Sequence, residues 1–77
     1  MKGKKNKRND EAIMLAGSNI RKFRKALNLS QTELAFKAET DYTQISNMER
    51  GITDSSLSQY VNVARALGVT VGMLLGE

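Results

Sequence analysis

Seventy-seven residues suffice for one folded domain and not for two, since a chain this short buries a reduced fraction of its surface. Cysteine and histidine are both absent, which removes disulfides, thiol nucleophiles, imidazole bases and the usual zinc ligands together, so no enzyme, metal site or cofactor is expected. The formal charge is +4, from twelve Lys and Arg against eight Asp and Glu. No apolar run approaches the roughly 20 residues of a membrane span, and the lysine-rich start lacks the apolar core of a secretory signal, so a cytoplasmic protein that avoids the membrane is expected.

Lys2, Lys4, Lys5, Lys7 and Arg8 hold five of the twelve positive charges, leaving seven against eight acidic ones from residue 10 onward. Residues 1–11 are too charged to pack and read as a disordered basic arm ahead of a domain over 12–77. Two readings of the arm stay open: a solubilising or cloning remnant, or a strand of cations lying along phosphates and gaining affinity from released counterions.

From about Ala12 to Leu27 the residues Ile13, Ala16, Ile20, Phe23 and Leu27 recur at spacings of three and four, the stripe of an amphipathic helix. Asn9 or Asp10 can cap it; alternatively Gly17 and Ser18 mark a break, with Ser18 capping a shorter helix. Arg21, Lys22, Arg24 and Lys25 occupy the other face, where cations near a helix C-terminus suit the macrodipole. Ser30 and Glu33 form a capping box that starts a second helix over about Gln31 to Ala38, with Leu34, Ala35 and Ala38 inward. Phe36 falls outside that stripe and is expected to pack on the first helix or the arm.

Asp41 and Gln44 repeat the capping spacing and start a third helix at about Tyr42, with Ile45 and Met48 buried and Gly51 as its stop. Ser56, with Gln59, is the expected cap of a fourth helix, whose stripe is Leu57, Val61, Ala64 and Leu67 with Tyr60 beside it; Gly68 ends it. Thr70 caps a last turn carrying Val71, Met73, Leu74 and Leu75. Proline is absent and no apolar residues alternate, so a compact all-α domain is expected.

Two short helices joined by a tight turn, from Ser30 to Gly51, form a helix-turn-helix. The outward face of the second of them, Tyr42, Thr43, Ser46 and Asn47, carries small hydrogen-bonding groups. LNLSQTELA, ISNMERG and ALGVTVGMLL, spread over about Asn19 to Leu75, resemble the lambda-repressor-like, or Xre/Cro, helix-turn-helix regulators in order and spacing. The resemblance implies a five-helix DNA-binding domain whose third helix enters the major groove, usually as a homodimer on a two-fold operator. This chain departs from the family at Glu39, where glycine is common and the backbone takes a positive φ, at a cost of about 1 kcal/mol. Tyr42 stands where arginine, glutamine or serine is more usual.

The same resemblance makes Tyr42, Thr43 and Asn47 the base-contacting residues; Asn47 suits adenine and the Thr43 methyl suits thymine. At the start of the second helix the amide dipole and the Gln31 side chain can meet a backbone phosphate; the resemblance adds phosphate contacts at Arg24, Ser30, Gln44, Ser46 and Arg50, and an orienting ion pair of Arg24 and Glu49. Val69, Val71, Met73, Leu74 and Leu75 exceed what one turn needs for the core, and part of that surface is a candidate dimer contact.

A transcriptional regulator bound to double-stranded DNA, such as a phage, mobile-element or restriction-controller repressor or activator, is the first expectation. An antitoxin or interaction module with a protein partner, a toxin or the transcription machinery, is the second. It leans on the arm and on Ile13, Met14 and Leu15 as an exposed segment.

Overall fold

The computed structural model describes residues 8–77, and these form five α-helices with no strand among them: α1 Asp10–Ala26, α2 Gln31–Lys37, α3 Tyr42–Arg50, α4 Leu57–Leu67 and α5 Val71–Leu74. Asn9 caps α1, its side chain accepting the Ala12 N–H. Asp10 and Glu11 then fill the first turn, where carboxylates complement the helix dipole. The helix therefore starts two residues ahead of the expected point near Ala12, and the 11/12 boundary between arm and domain falls inside it. Lys2, Lys4, Lys5 and Lys7 lie outside the described residues. Arg8 is exposed and its Nε donates to Asp10 Oδ1 at 3.0 Å.

Gly17 does not break α1. A Cβ at this position would stand 2.1 Å from the Met48 carbonyl oxygen and 3.0 Å from that of Glu49, so glycine is what lets the α1 backbone lie against the end of α3. The other caps follow local chemistry. Ser30 and Glu33 close both halves of the capping box, and Asp41, Ser56 and Thr70 each accept the backbone N–H three residues on.

Helices α1 to α4 end alike. Asn28, Glu39, Gly51 and Gly68 take φ of 59°, 59°, 72° and 74°, and the next residue's N–H reaches back to Arg24, Ala35, Asn47 and Ala64 respectively. These are Schellman closures. The positive φ expected at Glu39 is present, on a residue with a Cβ to accommodate.

Ile20, Leu34, Ile45, Met48, Val63 and Leu74 are fully buried, and Ala16, Ala35, Ala38 and Ala64 let the helices approach around them. Asn19 Nδ2 donates to the Leu74 carbonyl at 2.8 Å and ties α5 to α1.

Five packing expectations need correction. Val63 is buried in place of the expected Val61, which is half-buried, because α4 turns its 60, 63, 64 and 67 positions inward. Leu57 is 72% exposed: as the first residue of α4 its side chain leans back past the helix end. Leu27, the C-cap of α1, is also exposed. Phe36 is 85% exposed and packs on neither α1 nor any other described element, since Leu34, Ala35 and Ala38 take the whole inner face of α2. Of Ile13, Met14 and Leu15 only the last two are exposed; Ile13 joins the buried set.

Candidate nucleic-acid interface

Helix α3 divides cleanly. Ile45 and Met48 face the core, while Tyr42 is 54% exposed, Thr43 is exposed and Ser46 and Asn47 are half-buried at the rim. Asn47 Oδ1 accepts a hydrogen bond from Arg50 Nη2 at 3.0 Å. The amide is thus held on one side, with its own N–H groups left to donate.

Behind this face lies a buried ion pair. Arg24 Nε donates to Glu49 Oε2 at 2.6 Å and Nη2 to Glu49 Oε1 at 3.0 Å, the two-pronged geometry that a guanidinium and a carboxylate share. Arg24 Nη1 donates to the Leu29 carbonyl at 2.8 Å, and Gln31 Nε2 donates to Glu49 Oε1 at 3.0 Å. One network therefore joins the end of α1, the loop after it, the start of α2 and the end of α3. The hydrogen bond to Glu49 raises the Arg24 pKa, burial opposes it, and the nearby carboxylate charge adds to the rise, so the guanidinium stays charged.

Expected phosphate ligands meet different fates in this arrangement. Ser30, Gln31, Ser46 and Arg50 line one cleft of about 530 Å³ between α1, α2 and α3, together with Arg24. Arg24 is only 9% exposed and each of its three nitrogens donates to a partner within the domain. Gln44 points elsewhere. Its Nε2 donates to Ser55 Oγ at 2.9 Å and Gln59 Oε1 at 2.8 Å, so it braces α3 against the loop and α4. The capping box expected at Asp41 is half-formed for the same reason.

The cleft also holds Arg21 and Lys25, two cations of α1 outside the expected phosphate ligands. Their separation by four positions, which puts them on one face of α1, was the available signal.

A helix-turn-helix family model of the Xre, lambda-repressor-like type matches residues 20–74, which spans α2, α3 and the cleft. The chain belongs to the Xre, lambda-repressor-like family of helix-turn-helix transcriptional regulators. It is 38% identical over 64 residues to the immunity repressor protein of Bacillus phage phi105, covering 83% of this chain and 44% of that repressor's length. The fold is similar to the restriction-modification controller protein C.AhdI of Aeromonas hydrophila, with TM-score 0.77 and 32% identity over 80% of this chain and 94% of that one. It is also similar to SinR, the master regulator for biofilm formation, solved in complex with DNA, with TM-score 0.73 and 33% identity over 78% of this chain and 97% of that one. Among the described residues no helix is long and apolar enough to cross a membrane.

Proposed function

We propose that this protein is a sequence-specific, double-stranded DNA-binding transcriptional regulator of the cytoplasm that places α3 in the major groove. The observation that carries the reading is the division of α3: Tyr42 and Thr43 are exposed and Asn47 sits at the rim, while the opposite face is sealed in the core, on a scaffold shared with a DNA-bound regulator. Tyr42, Thr43 and Asn47 read base edges, where short polar groups match the donor and acceptor pattern of the major groove. Ser30, Gln31, Ser46 and Arg50 meet the backbone and fix the register. The Arg24–Glu49 pair acts indirectly, by holding α3 at one angle to α1 and α2.

A two-fold homodimer completes the proposal. An apolar groove of about 330 Å³ is lined by Ile13, Leu57, Tyr60, Val71 and Leu75 on the α1, α4 and α5 side. In the C-terminal cluster Leu74 closes the core, whereas Met73 and Leu75 keep much of their surface outside. Pairing through this side would set two α3 helices about 34 Å apart, one turn of duplex.

Selection of bound fragments from random duplex tests both parts, because a palindromic pair of half-sites reports specificity and dimer geometry together. On the selected fragment, Asn47→Ala should lower preference over random duplex by about 1–3 kcal/mol. Equal weakening on both sequences would move Asn47 from base reading to the backbone, and selection that enriches nothing would remove the function.

A further inference from the structure

Asn47 and Arg50 lie three positions apart in α3, and the hydrogen bond between them restricts what the Asn47 amide can show to a base. Arg50 Nη2 donates to Asn47 Oδ1 at 3.0 Å. A guanidinium carries donors alone, so the oxygen end of the amide is the end that meets it, and the N–H groups of Asn47 are left facing away. Two features keep Arg50 in place. A spacing of three brings both side chains to one side of the helix, and the last turn is pinned at Gly51, where the Ile52 N–H donates to the Asn47 carbonyl at 3.2 Å. The carboxylate beside Arg50 in the chain, Glu49, does not draw it away, because both Glu49 oxygens accept from Arg24 and Oε1 accepts from Gln31 as well.

An unconstrained asparagine amide suits adenine: it donates to N7 while its oxygen accepts from the N6 amino group. In this helix the oxygen already holds a donor, and a guanidinium charge stands next to it. An approaching amino group would bring positively polarised hydrogens against a cation. Guanine has a carbonyl, O6, where adenine has that amino group, and N7 beside it is a second acceptor. The Asn47 N–H groups find a partner at either atom, and the charge of Arg50 attracts both.

We infer that Arg50 is a positioning residue that sets Asn47 to read guanine in place of adenine. The inference rests on the DNA-binding reading above and names the base at one position of the site. Arg50 needs no base contact of its own, since the N–H groups not engaged by Asn47 serve the phosphate contact already proposed for it. A phosphate contact by itself carries no sequence information. This one acquires it by acting through Asn47.

The test compares fragments selected from random duplex by the full chain with those selected by Asn47→Ala, because the position read by Asn47 is the one whose preference the alanine variant loses. Wild-type protein should select a G·C pair there and bind it about tenfold more tightly than the same duplex with A·T. Arg50→Met removes the donor and the charge while keeping a long side chain at an exposed site, so unchanged circular dichroism is expected. It should erase the tenfold preference or turn it toward A·T. The readout is a ratio of two affinities, from which the uniform weakening caused by a lost phosphate contact cancels.

Wild-type selection of A·T at that position would overturn the inference, as would an Arg50→Met protein that keeps the whole preference for G·C, or an Asn47→Ala protein that relaxes no position. In each of these cases DNA binding itself would stand. A wild-type selection that enriches nothing would overturn the underlying function, and the role of Arg50 with it.

Discussion

Two concave surfaces on this small domain share α1 and have opposite chemistry. The cleft against α2 and α3 is polar and cationic, with its geometry fixed by hydrogen bonds that run from Arg24 to Glu49, Leu29 and, through the carboxylate, Gln31. The groove against α4 and α5 is apolar, with Ile13, Leu57, Val71 and Leu75 around Tyr60 and, among the described residues, Arg8, Asn9 and Asp54 as its polar neighbours. A single helix thus presents a cationic face on one side and an apolar face on the other. In the proposed complex the first must hold α3 at a set angle for its side chains to meet base edges; the second gains mainly from area removed from water.

The strongest way to break the cleft is to strand its buried charge. Glu49→Ala leaves the Arg24 guanidinium with the Leu29 carbonyl alone and takes the acceptor from Gln31. Removing one partner of a buried pair costs about 3–5 kcal/mol, a large share of the stability of any small domain. Denaturant unfolding should show that loss, and DNA affinity should fall at temperatures where the variant is still folded. A loss below about 1 kcal/mol would place the pair among solvent-screened ones.

Gly17→Ala should come next. Its new methyl would lie 2.1 Å from a backbone carbonyl, which cannot rotate away as a side chain would, so α1 must move off α3. Overpacking of this kind costs about 1–3 kcal/mol. Because Gly17 lies on the α3 side of α1, the DNA contacts should weaken more than self-association; the reverse order would mean that the two surfaces are not independent.

What was readable in the chain divides along range. Ser30, Asp41, Ser56 and Thr70 cap through partners three residues away, and a pattern of that length is visible without a fold. Gln44 looked like the fourth member of another box, yet Ser55 and Gln59, farther along the chain, claim its amide. Whether Gly17 breaks α1 stays open in the sequence for the same reason: its meaning depends on Met48, which only the tertiary structure brings near. In α4 two stripes with helical period compete, and the neighbours of Val63 decide between them. The basic face of α1 was plain, whereas its division into a buried Arg24 and an exposed Arg21 and Lys25 needed the position of Glu49.

Glu39→Gly sharpens the cleft side with a gain. Glu39 sits in the left-handed region between α2 and α3, where its Cβ crowds the backbone and glycine has no such cost. Relief of that strain, offset by the greater freedom of glycine in the unfolded chain, should stabilise the domain by about 0.5–1 kcal/mol. Thermal unfolding measures it. If the melting temperature does not rise, the turn is already relaxed with glutamate in place.

Tyr60 gives the smallest effect and the most local report on the apolar groove. Burial raises its phenol above the ordinary value of 10.0, hydrogen bonding at Ser55 and the charge of Arg8 pull the other way, and Asp54 adds to the rise. The folded protein thus keeps this proton at a pH where the unfolded chain has lost it. Its contribution to stability is complete below about pH 10 and disappears as pH rises through the folded pKa. Tyr60→Phe should remove that alkaline fall. The ultraviolet titration of the phenol, with Tyr42→Phe to isolate it, should then depend on protein concentration, because a second protomer seated on the groove would bury Tyr60 further and push its pKa higher. A titration that is the same in dilute and concentrated protein would mean that the groove stays open, and the dimer contact would have to be sought on another face.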